Sequence, residues 1–248
     1  MVVVGVGEVG GVIARGLLRT QHPVYPVTRH TDINKAAASF PVPQAVVVAV
    51  SEFDLDQTLA DLPRPWRDRV VLIQNELLPR DWEQHGVSQP TVVSIWFEKK
   101  PGQDVKVLMP SPAHGPHAAL LRSALDAVKV PCRIVDDADD MLYELVRKNL
   151  YILTSNIAGL TTGGTVEQLW QQHRPLALQI AGEIIKLQTA LTGKTFAHDK
   201  LLHGMVEGFE ADPQHKCTGR SAPARLIRAL AQAAELGIDT PHLRAVQS

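Results

Sequence analysis

Val2-Val3-Val4, followed without a gap by Gly5-Val6-Gly7-Glu8-Val9-Gly10, restricts the fold of this chain more than any other stretch of it. β-Branched residues favour an extended strand, because two heavy atoms on Cβ suit a pleated surface better than a helix. Beyond the glycines, Val9, Ile13 and Leu17 recur at the spacing of one helix face. A strand, a G-x-G-x-x-G turn and a helix in that order form the fingerprint of a βα unit that takes the diphosphate of a dinucleotide. Each glycine has its own reason. Gly5 permits the tight turn, Gly7 lets a diphosphate approach the backbone, and Gly10 lets helix and strand pack closely. Free N–H groups and the dipole at the helix start favour negative charge. Gly5, Gly7, Glu8, Val9 and Gly10 are therefore candidate cofactor-binding residues.

The alternation continues along the first half of the chain. Strands are expected at 1–4, 24–28, 45–50, 70–73, 92–96, 105–108 and 133–135, with further helices at 54–62 and 116–128. Residues 45–50, Ala-Val-Val-Val-Ala-Val, show no polar alternation and suit a parallel strand covered on both faces. The expected class is α/β, with an N-terminal Rossmann-type, mostly parallel sheet. From 137 onward the character changes. The acidic run 137–140 reads as a linker that also places carboxylates near a helix start. Helices are expected at 141–153, 166–191, 200–207 and 222–236, the last with Ser221 as N-cap, Pro223 in its first turn and Gly237 past its end. Two domains follow: a nucleotide-binding domain over 1–138 and an all-helical substrate and catalytic domain over 139–248.

The end of the second strand bears on which dinucleotide is bound. NAD-preferring sites carry an acid about 20 residues after the glycines, placed to bond the ribose hydroxyls. This chain has Thr28-Arg29-His30 there and no acid before Asp32. A guanidinium suits a phosphate dianion through forked, charge-assisted hydrogen bonds, so Arg29 points to NADP(H) as the cofactor. Two later strand ends reach the same carboxyl edge of the sheet, bringing Ser51 and Asn75 as further cofactor-binding candidates.

In the second half, Lys148 stands in an otherwise apolar helical run and shares a stripe, i, i+4 and i+8, with Ile152 and Asn156. Partial burial lowers a lysine's pKa toward the range in which it can donate a proton, which suits a general acid for carbonyl reduction. A snorkelling lysine whose stem covers the core is the other reading of the same residue.

Taken in order, these segments resemble the ketopantoate reductase family. The resemblance rests on Gly5/Gly7/Gly10, on Arg29, on Leu72-Ile73-Gln74-Asn75 against an L-x-x-N-G segment, and on Leu236-Gly237-Ile238-Asp239-Thr240-Pro241 against a G-x-x-x-P ending. Lys148 and Asn156 match the lysine and second asparagine of the family's K-x-x-x-N-x-x-x-N helix. The resemblance implies Lys148 as the catalytic acid, with Asn156 beside it orienting the substrate. It covers nearly the whole chain, with departures. Ile152 replaces the first asparagine, Glu76 the glycine after Asn75, and Ser94-Ile95-Trp96-Phe97 a threonine-rich strand. For the family's late serine and glutamate, Asp212, Cys217 and Ser221 are candidates without a firm role.

Composition removes other classes. Hydrophobic residues at 45% and charged ones at 21% describe an ordinary globular chain, not a disordered one. A net charge of −1 gives no global attraction for nucleic acid or an anionic membrane, and neither is expected as a partner. The longest apolar runs are too short to span a bilayer. Two cysteines without a dense framework or a secretory leader suit a reducing, cytoplasmic setting. The ten histidines form no zinc-ligand pattern, so no metal is expected. The expectation is an NADPH-dependent oxidoreductase that reduces a small keto acid or related carbonyl, with homodimerisation left open. Its rivals are a same-fold reductase for an imine or another hydroxy acid, and a non-catalytic NADP(H) sensor.

Overall fold

A computed structural model describes residues 1–247. In chain order the first part comprises β1 (Val2–Val4), α1 (Glu8–Arg19), β2 (Tyr25–Val27), α2 (Ile33–Ser39), β3 (Val46–Val48), α3 (Leu55–Ala60) and β4 (Val70–Leu72). It continues with α4 (Pro79–Glu83), β5 (Thr91–Val93), β6 (Phe97–Glu98), β7 (Lys106–Val107), β8 (Ser111–His114), α5 (Ala118–Ala127) and β9 (Cys132–Ile134). Then come α6 (Ala138–Thr162), α7 (Val166–Gln172), α8 (Arg174–Thr192), α9 (His198–Ala211), α10 (Ala222–Glu235) and α11 (Pro241–Gln247). The chain is α/β, as its sequence pattern implies. It divides into two compact units, Met1–Leu145 and Val146–Ser248, the division falling within α6.

The first unit is built on one seven-stranded sheet in the order β2-β1-β3-β4-β5-β8-β9. The neighbouring pairs from β2 to β5 are parallel, β5 and β8 are antiparallel, and β8 and β9 are parallel. Successive side chains on a strand point to opposite faces, and here both faces are covered. Val2 and Val4, Val46 and Val48, Val70 and Leu72 join Trp66, Trp82 and the α2–α4 side. Val3, Val47 and Val71 join Val12, Ile13 and Leu17 of α1 and Leu121 and Leu125 of α5. Burial on both faces explains why 45–50 reads as unbroken apolar sequence. β1 has β2 on one side and β3 on the other, so the strand order reverses at β1, and the crevice of such sheets lies beyond the carboxyl ends of the strands there.

Several expectations need correction. Residues 105–108 do not join the main sheet: β7 pairs only with β6 in a separate antiparallel hairpin. The Pro/Gly-rich segment around His114 contains β8, which Pro112 disguises because proline usually marks a loop or an edge. Pro112 gives no N–H, but its carbonyl accepts from the Ser94 N–H at 2.9 Å. Residues 166–191 are two helices, since Pro175 lacks the N–H that would continue α7 and its ring clashes with the preceding turn. Ser221 occupies the cap position of α10 without a capping side-chain bond. The acidic run is not a loose linker. The Asp137 carboxylate accepts from the N–H groups of Asp139 (2.7 Å) and Asp140 (3.2 Å) and so starts α6.

In the second unit α6 is tied to its neighbours by polar bonds as well as apolar packing. Arg147 donates to the Gly204 carbonyl at 2.9 Å and to Glu207 at 2.7 Å on α9. The buried Asn149 amide donates to Gln188 of α8 at 3.0 Å. Among the described residues, no helix is long and apolar enough to cross a membrane.

Candidate functional site

The glycine turn has the geometry that a diphosphate site needs. Gly5 takes φ +86°, and a Cβ there would stand 2.9 Å from the Ala49 carbonyl carbon and oxygen. A Cβ on Gly10 would stand 2.1 Å from the Gly5 carbonyl oxygen and 3.0 Å from the Ala49 Cβ, so α1 can lie this close to β1 and β3 only with glycine. Gly7 differs: a Cβ there would meet nothing within 4 Å. No neighbouring chain demands that glycine, whereas a ligand coming up to the backbone would. Gly7 is the N-cap of α1 with no side-chain cap, which leaves the first N–H groups of a 12-residue helix without a capping side chain.

Two more strand ends meet this turn. The Ala49 N–H donates to the Val4 carbonyl at 2.7 Å and the Gly5 N–H to the Val27 carbonyl at 2.9 Å. Gln74, buried at the end of β4, donates to the carbonyls of Val48 (2.8 Å) and Val50 (3.2 Å) and accepts from the Ile73 N–H (3.0 Å). It fastens the ends of β3 and β4 together, a role its sequence gave no sign of. Asn75 follows it, half-buried, with no hydrogen bond from its amide among the described residues. Glu76 takes φ +61°. A left-handed position favours glycine, which accounts for the glycine that the resembling family carries after its asparagine. Ser51 is exposed and donates to Asp54 at 2.7 Å beside the start of α3.

Arg29 lies exposed in the turn after β2. The Thr31 hydroxyl accepts from the Thr28 N–H at 3.0 Å, and the Thr31 N–H donates to the Thr28 carbonyl at 2.9 Å, which fixes the turn that carries Arg29. Asp32, the first acid after β2, caps α2 by accepting from the N–H groups of Asn34 (3.0 Å) and Lys35 (3.1 Å). Its carboxylate is thus committed to a helix start.

In the second unit Lys148 is 9% exposed, and its Nζ stands 5.4 Å from the centroid of the Tyr151 ring. Burying an ammonium is costly, and the ring's electron-rich face offsets part of that cost. The Tyr151 ring in turn lies 5.6 Å from Phe209 and 6.2 Å from His215. His215 Nδ1 stands 3.6 Å from the buried Asp212 carboxylate. Asn156 is buried, and both ends of its amide are engaged. Nδ2 donates to the Cys217 carbonyl at 3.0 Å, and Oδ1 accepts from Arg225 at 2.6 Å. Arg225 escaped the sequence reading because it reads as an ordinary polar residue of an amphipathic helix. Replacing Asn156 with alanine should therefore destabilise the second unit by about 1–3 kcal/mol, read as a lower urea midpoint. An unchanged midpoint would remove the structural role.

Cys217 is buried, and burial pushes its thiol up to about 11. A thiol with so little thiolate at neutral pH is a poor nucleophile. Among the described residues no group of three or more His, Cys, Asp or Glu side chains is placed to hold a metal ion. A cavity of about 590 Å³ opens at the amino ends of β1 and β2, lined by Met1, Pro23, Tyr25, Phe40 and Pro43 among others. It lies at the opposite edge of the sheet from Gly5 and holds none of the candidate residues.

No family model and no curated protein matches the chain. Solved structures do. A 2-dehydropantoate 2-reductase from Methylococcus capsulatus superposes with a TM-score of 0.72 at 14% identity, covering 99% of this chain and 93% of its own. The dimeric ketopantoate reductase from Staphylococcus aureus gives 0.63 at 18%, covering 99% and 95%. A D-mandelate dehydrogenase, solved with NADH and anilino(oxo)acetate, gives 0.67 at 13%, covering 99% and 96%. The chain has the fold of these enzymes from end to end.

Proposed function

We propose that this chain is a ketopantoate reductase-like oxidoreductase that uses NADPH to reduce the carbonyl of a small keto acid. The observation that carries the reading is the Gly5–Gly10 turn, where steric need explains two of the glycines and Gly7 leaves the uncapped start of α1 open to a ligand. Enzymes of the same fold, known as 2-dehydropantoate 2-reductases and a D-mandelate dehydrogenase, act on compounds of this class. The residues present fit a nicotinamide dinucleotide. Gly5, Gly7, Gly10 and the backbone N–H groups of Glu8 and Val9 in the first turn would hold its diphosphate, and Arg29 the adenosine phosphate. Ser51 and Asn75 would serve at the later strand ends. When bound, the nicotinamide supplies a hydride to the carbonyl carbon.

Lys148 is the catalytic residue in this reading. As the carbon gains two electrons, the π pair moves onto oxygen, and the Lys148 ammonium stabilises that charge and donates a proton. The neutral amine then takes a proton from water. Asn156 is a positioning residue, holding the Lys148 stripe against Arg225 and the Cys217 backbone. The apolar Ile152, where the resembling family has an asparagine, favours a substrate less polar than ketopantoate.

The preference for NADPH rests on Arg29 and on the commitment of Asp32 to the α2 cap. Replacing Arg29 with alanine should weaken NADPH by about tenfold, the worth of one charge-assisted phosphate contact, and leave NADH nearly unchanged. Calorimetry with both nucleotides checks this, and an equal loss for the two would refute the phosphate role. A panel of 2-keto acids and imines assayed with NADPH tests the activity. Tight NADPH binding without turnover of any of them would instead favour a nucleotide sensor.

A further inference from the structure

The β6–β7 hairpin brings a charge to the glycine turn that neither the turn's sequence nor its fold requires. Lys99, just after β6, donates from Nζ to Glu8 Oε2 at 2.8 Å and to the Lys100 carbonyl at 2.8 Å. Lys99 and Glu8 side chains are 18% and 41% exposed. Both belong to the first unit. Lys100 is engaged in its own pair with Glu98 at 3.2 Å, so the hairpin offers Lys99 alone to Glu8 in this contact.

Glu8 is the first residue of α1. A carboxylate there favours an empty helix, since it complements the positive end of the dipole. For a helix start that receives a diphosphate the same carboxylate is a handicap: it occupies the field meant for the ligand and repels it. Coulomb repulsion between a carboxylate and a nearby dianion costs roughly tenfold in affinity even in a watery setting. A lysine bonded to that carboxylate cancels most of the repulsion without giving up the helix start.

We infer that Lys99 is an affinity-setting residue of the cofactor site, which neutralises Glu8 so that the first turn of α1 can accept the cofactor's diphosphate. The inference rests on the dinucleotide reading above and adds a residue from a distant part of the chain. Lys99 acts through Glu8 and is therefore a positioning residue.

The test is a set of single and double variants of the full chain, read by NADPH titration. Lys99→Ala should weaken NADPH about fivefold to tenfold at low salt, and Lys99→Gln should do the same. Raising salt to about 0.5 M should shrink the loss, because screening then replaces the missing charge. Adding Glu8→Gln to Lys99→Ala should restore wild-type affinity, since nothing is left to neutralise. Adenosine 2′-monophosphate, which carries the adenosine phosphate without a diphosphate, should bind all four proteins alike. Wild-type affinity in Lys99→Ala, or a loss that Glu8→Gln does not restore, overturns the inference while the cofactor reading stands; the second result would mark Lys99 as a structural anchor of the hairpin. A wild-type protein that binds neither NADPH nor NADH overturns both.

Discussion

Replacement of Lys148 with alanine should lower turnover of an active keto substrate by about a hundredfold to ten-thousandfold, the range supplied by a positioned general acid. Nucleotide affinity should stay nearly unchanged, because the candidate cofactor residues belong to the other compact unit. The protein should remain folded: the change removes a buried ammonium 5.4 Å from the Tyr151 ring centroid, and the apolar packing of α6 through Leu145, Ile152 and Leu153 is left in place. Lys148→Arg separates charge from proton donation. A guanidinium keeps the positive charge but holds its proton throughout the working pH range, so arginine should recover little of the lost rate. Single-turnover kinetics with saturating NADPH would read the chemical step directly. Undiminished turnover in Lys148→Ala would remove the lysine from the mechanism, and full activity in Lys148→Arg would show that its charge matters and its proton does not.

The second large effect is expected at Gly10, with Gly7 as its counterpart. An alanine Cβ at Gly10 would stand 2.1 Å from the backbone oxygen of Gly5, and neither element can yield without opening the contact between α1 and β1. The expected loss is at least about 3 kcal/mol, the upper part of the range for overpacked sites, or a melting temperature lower by roughly 6–12 °C. Gly7→Ala meets open space, and exchanging glycine for alanine at an N-cap should alter stability only modestly. Its effect should appear in binding. A methyl group where the diphosphate must approach the backbone should weaken NADPH by about tenfold or more. The two glycines should thus divide, Gly10→Ala reading out in stability and Gly7→Ala in binding. Thermal melts and NADPH titrations on the two variants would show the division. Gly7→Ala protein that melts and binds like wild type would mean that no diphosphate rests on this turn.

Some of these features could be read from the chain before any fold was known. Gly5, Gly7 and Gly10 announce themselves because their requirements are local: a left-handed φ at Gly5 and a close helix start at Gly10 arise within a few residues of the motif. Lys148 stood out for the same kind of reason, a charge inside an apolar helical period. The valine runs at β1, β3 and β4 announced a two-faced core, because burial on both sides removes polar alternation.

Other features depended on elements far apart in sequence. No local preference tells that Ser111–His114 turns back against β5, or that 106–107 leaves the main sheet, since a proline-containing strand becomes legible only through its partners. Asp32 is the first acid after the second strand, but that its carboxylate caps α2 was visible only in the structure. Asn156 was legible as a polar group on the Lys148 stripe, whereas the bond to its oxygen from Arg225, 69 residues away, was not. Glu8 meets Lys99 across 91 residues. Periodicity, turn chemistry and helix capping act over a few residues, so one chain encodes them openly. Which donor meets which acceptor across the molecule depends on how whole elements pack, and that is where the secondary roles at this site were decided.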